Sequence, residues 1–417
     1  MLVVKRASFE MKKPSLLIIF LTVFIDLIGF GLVLPLLSIY SENFGASGFT
    51  IGAIMASYSL MQFIFAPIWG RLSDRIGRRP VLLVSTACAA ISYAIFAFGC
   101  GLGGNTALWI ILISRIFAGI CGANITVAQA YIADITPPEK RSARMGLVGM
   151  AFGLGFIFGP AIGSFSLSRF GMQGPGWVAA ALCAFNFFLA FVILRESWKP
   201  SSEHVAQRPR FIQLLHTLRQ PGLGMLITVF FLATFGFASF ETIIGLLVGK
   251  NFRLNLKDPK DAQTIGYLIS YCGILGALVQ GGAVGRLVKK MGEPKLIASS
   301  LVFASVGLGL LPFLKTWPLL LVGLGIFAIG SSLTRPPVFG MISILTPATE
   351  QGATIGVAQS AGSLARIIGP IFAGTFFGIL PALPYLVCSA VIFFTGILAW
   401  LKLRKAEPIL VAEAKSF

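Results

Sequence analysis

Apolar stretches near or above the ~18–20 residues needed to cross a ~30 Å hydrocarbon core recur along the whole of this 417-residue chain. Twelve can be drawn: 15–37, 50–70, 81–101, 107–132, 144–166, 177–194, 222–248, 263–284, 296–314, 318–345, 354–379 and 383–402. In lipid a backbone without water must bond to itself, so such segments can only be helices. The expected fold is an all-α integral membrane protein of twelve transmembrane helices. What remains between them suffices for short loops, with no room for a separate soluble domain. At 12% charged and 56% hydrophobic residues the chain is far from the roughly 25% charge of soluble domains.

The cations orient the chain. With a cytoplasmic N-terminus, 24 of the 33 Lys and Arg fall on the cytoplasmic side, 6 on the other, and Arg115, Arg335 and Arg366 inside spans. The positive-inside rule then places both termini in the cytoplasm, and the net charge of +18 is mostly topology. Scattered between apolar helices, these cations form no stripe for nucleic acid, and none is expected as a partner. The first apolar run holds Asp26 and ends without a small-x-small cleavage site, so it reads as a retained span. The six cysteines lie in or at the ends of spans without metal-ligand spacing; neither a disulfide framework nor a metal site is expected.

The chain repeats itself. GRLSDRIGRRP (70–80) returns as GRLVKKMGEPK (285–295) at an offset of 215. TPPEKRSARMG (136–146), followed by Gly159-Pro160, returns as TPATEQGATIG (346–356), followed by Gly369-Pro370, at an offset of 210. Two six-span halves are implied, an N-terminal bundle over 1–194 and a C-terminal bundle over 222–417, joined by a basic cytoplasmic linker over 195–221. Parallel repeats of this kind build transporters whose substrate binds near the midplane between the halves.

Ionisable groups inside spans point to the mechanism. Asp26 lies about 11 residues, roughly 16 Å, into the first span, near the midplane. A charge there costs about 2.5–3.5 kcal/mol on insertion scales, so it should face a cavity or a partner. Removal from water disfavours the ionised carboxylate, as a proton-coupling site requires. Adding 215 to 26 gives Glu241, in the seventh span. The alternative for both is a neutral acid bonded between helices. For Arg115, Arg335 and Arg366 it is snorkelling or helix–helix bonding. Tyr58 and Gln62, one turn apart, and Asn124 and Gln129 could line a cavity, with Tyr271, Gln280 and Gln359 as weaker candidates. The run 70–83 gathers Arg71, Arg75, Arg78 and Arg79 around a single Asp74, with Gly70 and Gly77 permitting a tight reversal. In the fifth span Gly149, Gly153, Gly155, Gly159 and Gly163 leave a smooth stripe, and Pro160 removes a donor, consistent with close packing or a hinge.

GRLSDRIGRRPVLL (70–83), RIFAGICGANITVAQAYIADITPPEKR (115–141) and GLGFIFGPAIG (153–163) resemble, in order and spacing, the signature segments of the major facilitator superfamily, and within it the drug:proton antiporters. IDLIGFGLVLPLL (25–37) and the second Gly-Pro segment resemble the tetracycline-efflux and tetracycline-transporter-like branch. The resemblance implies that spans one, four, seven and ten line a central cavity, with Asp26, Arg115, Glu241 and Arg335 exchanging partners. It implies gating by Asp74 against the positive end of a helix starting near Thr354, and by Arg78 against Asp134, broken on inward opening. The glycine-rich fifth span matches the antiporter motif and favours export. Arg366 departs from the tetracycline pumps and resembles the tetracycline-transporter-like relatives more closely, which weakens the expectation of tetracycline itself as substrate.

These readings lead to a proton-coupled antiporter exporting an amphipathic organic compound by alternating access, acting as a monomer in the plasma (cell inner) membrane. Its partners would be a small molecule, protons and the bilayer. The alternatives are a same-fold symporter or facilitator for a metabolite, organic anion or siderophore-like compound, and a non-transporting receptor or scaffold. No nucleophile–base constellation or phosphate-binding loop is present, so neither an enzyme nor a cofactor is expected.

Overall fold

The structure, a computed structural model, describes residues 14–44, 48–198, 216–254 and 259–415. The helices of the first half are α1 (Leu16–Asn43), α2 (Gly48–Ile76), α3 (Arg78–Cys100), α4 (Gly104–Cys121), α5 (Asn124–Asp134), α6 (Pro138–Phe170) and α7 (Gly174–Ile193). Those of the second are α8 (Pro221–Phe252), α9 (Pro259–Leu278), α10 (Val284–Met291), α11 (Glu293–Leu310), α12 (Trp317–Ile344), α13 (Gln351–Ile379) and α14 (Leu383–Lys415). Among the described residues twelve spans are long and apolar enough to cross a membrane, with α4 and α5 sharing one span and α9 and α10 another.

Two spans are not the uninterrupted helices that hydropathy suggests. The fourth breaks at Gly122, whose backbone (φ −72°, ψ 59°) leaves the helical region before α5 resumes. The eighth passes through a π-helical segment, Val279–Ala283. The expected loop over 70–83 is also corrected. α2 runs to Ile76 and α3 starts at Arg78, so Gly77 alone makes the turn, at φ +100°, a conformation that strains any other residue. Gly70 instead lies inside α2. The linker expected over 195–221 falls largely outside the described residues.

The packing within each half repeats. In the first, α6 lays Gly159 on Gly31 and Leu32 of α1; in the second, α13 lays Gly369 on Phe235 and Ala238 of α8. Contacts between halves repeat as well: Gly146 of α6 abuts the Gln280 carbonyl of the π segment, and Gly356 of α13 abuts the Ala66 carbonyl of α2. Lipid provides no hydrophobic drive between helices, so close backbone approach at small residues holds them together. These cross-half approaches cluster at the end carrying the Gly77 turn, where Gly340 of α12 also presses on Ser142 of α6. Toward the other end, Gly52 of α2 and Gly374 and Gly378 of α13 meet nothing within 4 Å. The halves are closed together at the Gly77 end.

Candidate functional site

The break in the fourth span builds the surroundings of Asp26. A helix interrupted inside a bilayer exposes backbone groups that must find partners in the protein. Here Trp69 Nε1 of α2 donates to the Ile120 carbonyl (2.5 Å), Ser85 Oγ of α3 donates to the Cys121 carbonyl (2.5 Å) and accepts from the Ala123 amide (3.1 Å). Asn124, first residue of the resumed helix, is thereby fixed beside α1, with its side chain next to the Asp26 carboxyl while its own Oδ1 has no partner. Cys183 Sγ of α7 lies 4.0 Å from Asp26 Oδ1, and the Tyr58 and Tyr93 phenols are within electrostatic reach.

Arg115 does not take the place expected of it. Only 2% exposed, it faces α3, with its guanidinium carbon 5.4 Å from the Tyr93 ring centre and 5.5 Å from that of Phe96. Among the described residues it makes no ion pair with Asp26 or Glu241. The negative faces of two rings hold this cation instead of a carboxylate. Sequence spacing places residues along a helix but not the rotation of that helix against its neighbours, and here the rotation turns Arg115 toward α3.

The second acid has a different neighbour. Glu241 of α8 is exposed, with Arg366 of α13 as its nearby charge. Arg366 reaches across the halves to Gln62 of α2 (3.5 Å), which also accepts from Ser363 Oγ (3.3 Å) and donates to the Tyr58 hydroxyl (3.0 Å). A second bridge joins Gln359 of α13 to Gln129 of α5 at 2.8 Å. Arg335 of α12 lies between the rings of Phe152 (5.1 Å) and Phe230 (5.3 Å), again in no ion pair among the described residues. Gln129, Gly149 and Gln280 line the same small void as Arg335. Tyr271 stands apart: its hydroxyl reaches the Leu321 carbonyl of α12 at 3.3 Å, at an exposed position.

At the closed end, the Asp74 carboxylate accepts from the amides of Gly352 (2.8 Å) and Ala353 (2.7 Å), capping α13 from the opposite half. A carboxylate at a helix N-terminus satisfies orphan donors and meets the positive end of the dipole. Arg78, fully buried, pairs with both Asp74 and Asp134 (3.0 Å) and donates to Ser73 Oγ (2.8 Å). Spacing had not marked Ser73, Glu196 or Ser197, yet all join this network. Ser197 Oγ donates to Asp134 (2.9 Å), and Glu196 accepts from the amides of Arg78 (2.9 Å) and Arg79 (3.0 Å) at the start of α3. Arg79 bonds the Leu194 and Phe191 carbonyls (2.8 and 2.7 Å), and Arg75 is exposed. On the pseudo-equivalent side Arg141 Nη1 bonds the Ser343 carbonyl (2.7 Å) and Ser142 Oγ bonds Glu293 (3.1 Å). Gly153 packs against Gly273 and Ala277 of α9, and Gly163 is buried. Pro160 and Pro370 sit within uninterrupted helices, so no break marks a hinge at either.

A twelve-span helical chain with a charged interior and an ionic lock at one end invites comparison with known transporters. The sequence description of the Major Facilitator Superfamily matches residues 19–304 and again 261–416. The chain belongs to that superfamily. Its relatives within it include the class E tetracycline resistance protein of Escherichia coli, 33% identical over 360 residues and 84% of each chain. Another is multidrug resistance protein 2 of Bacillus subtilis, 29% identical over 396 residues, 93% of this chain and 94% of the relative. These place the chain with the drug:proton antiporter branch. The crystal structure of the human organic anion transporter MFSD10 (TETRAN) shares the fold, with a TM-score of 0.78 over 92% of this chain and 98% of that one, at 23% identity. The protein is a multi-pass membrane transporter for small molecules and not an enzyme.

Proposed function

We propose that the protein is a proton-coupled antiporter that exports an amphipathic organic compound by alternating access. One observation carries this reading: the first helix of each half holds a carboxyl inside the span, Asp26 beside Asn124 and Glu241 beside Arg366. A coupling site needs a group that loads a proton when exposed to one face and releases it at the other, and antiport needs bound proton and bound substrate to exclude each other. The names of the relatives, tetracycline and multidrug resistance proteins, support export of amphipathic compounds. The Asp74 cap on α13 and the Arg78–Asp134 pair would hold the cytoplasmic end shut, leaving the interior open to the opposite face.

In this scheme the bundles of 1–194 and 222–417 rock about the interior site, with the linker of 195–221 and both termini in the cytoplasm of a plasma-membrane monomer. Purified protein reconstituted in vesicles with an imposed pH gradient tests it. A panel of amphipathic compounds should include some that move against protons. Flux of every transported compound that ignores the gradient would favour facilitated diffusion, and flux running with protons would favour symport.

A further inference from the structure

Resting on that transport reading, the interior site shows which charge its substrate carries. Arg335 and Arg115 are each clamped between two aromatic rings, and in each the Nε and Nη2 atoms are buried without a hydrogen-bond partner. Those two nitrogens form one edge of the guanidinium plane, the edge that receives two oxygens of a carboxylate or similar oxyanion side by side. Leaving it empty in a buried site is costly, because a buried charge is stable only when paired and bonded. Arg335 cannot relieve that cost by snorkelling, since it lies nine residues, roughly 14 Å, from the end of α12.

Among the described residues no acid fills the Arg335 edge. The charge nearest Arg335 is Arg366, a like charge, and the carboxylate near Arg366 is Glu241. Within the middle of the spans two acids, Asp26 and Glu241, face three arginines. Two neighbouring arginines with one carboxylate, that of Glu241 beside Arg366, lack one negative charge. The cleft beside Arg335, too narrow in this conformation for a water molecule, is lined by Gln129 and Gln280, the latter with an unpaired buried Oε1, and by apolar Met145 and Phe339.

We infer that the transported compound is an organic monoanion, an apolar body bearing a carboxylate or sulfonate head that seats on the Nε–Nη2 edge of Arg335, with Arg366 as the second cation. With Glu241 ionised beside Arg366, one monoanion on Arg335 supplies the missing negative charge.

The test uses the full chain in detergent and three ligands of one shape: 2-naphthalenesulfonate, 2-naphthalenesulfonamide and (2-naphthyl)trimethylammonium. The sulfonate stays ionised at every working pH and does not leak through lipid as a neutral acid. Calorimetry should show it binding at least tenfold more tightly than the sulfonamide or the ammonium, as two charge-assisted hydrogen bonds imply on the order of 10–100-fold. Arg335→Gln should remove most of that preference while leaving sulfonamide affinity within about twofold, and Arg335→Lys, a point charge without the fork, should fall between. No sulfonate binding, tighter binding of the ammonium, or equal weakening of all three ligands by Arg335→Gln overturns the inference. The charge series on the unmutated protein decides the matter even if the variants do not fold. Flux separates this inference from the antiport reading: proton-driven export of the ammonium alone sinks the anion site and keeps antiport, whereas sulfonate transport indifferent to a pH gradient does the reverse.

Discussion

Gly70 shows how much a single missing side chain can decide. A Cβ placed there would run into the Gly352 carbonyl, a backbone atom that cannot swing aside, so the closed end depends on two glycines meeting. Gly70→Ala should keep α2 helical, because alanine favours helix. It should nonetheless hold α2 and α13 apart and lower the transport rate by about tenfold, the effect of roughly 1.4 kcal/mol against closure; unchanged transport would mean that the contact is dispensable. Glu196 acts through the opposite device, supplying a carboxylate where the start of α3 has bare amides. Glu196→Ala should cost about 1–2 kcal/mol, as loss of a helix cap does, and lower the thermal midpoint of the purified protein. Asp26 and Glu241 were visible in the sequence because a charge in an apolar run is costly enough to need a reason. Glu196 was not: its partners lie more than a hundred residues away, and in a basic connector one acid carries no signal. The aromatic clamps of Arg115 and Arg335 were hidden too, since among 37 phenylalanines nothing but packing marks the rings that meet a cation.

At the scale of helices, hydropathy gave the number of spans and missed their interruptions. Gly122 lies in continuous apolar sequence, and nothing local reveals that Trp69 and Ser85 will satisfy the opened backbone. The opposite error arose at 70–83, where charges that look like a loop are the ends of two helices around one glycine. Those ends form the joint between halves, because Asp74 belongs to α2 and the amides it caps belong to α13. Asp74→Asn keeps an oxygen for one amide but gives up the charge facing the dipole and Arg78. Turnover in vesicles should slow several-fold, while substrate affinity, set in the interior, stays within about twofold. If affinity falls and turnover holds, the cap belongs to the binding site and not to the gate.

For the whole molecule, the two halves repeat their packing but not their charges. At the offset of 215 that pairs Gly70 with Gly285, Asp74 corresponds to Lys289, so the first half alone supplies a carboxylate cap at that position. Asp26 and Glu241 are related by the same offset and also differ, one beside a neutral amide and the other beside an arginine. This asymmetry gives them separable parts in coupling. One pH unit supplies about 1.36 kcal/mol per proton, and 100 mV adds about 2.3 kcal/mol per charge moved, so a single coupled proton supports a sizeable substrate gradient. Asn at position 26 or Gln at position 241 keeps shape and hydrogen bonding but carries no proton across. Asp26→Asn should therefore abolish transport against a gradient driven by pH while leaving substrate exchange between equal pools, because exchange needs the conformational cycle and not the proton. Glu241→Gln should instead disturb exchange as well, since the charge that balances Arg366 is gone throughout the cycle. Measured side by side in one vesicle preparation, the reverse pattern would move the coupling site to the second half. Full gradient-driven transport in both variants would leave neither acid as the proton carrier.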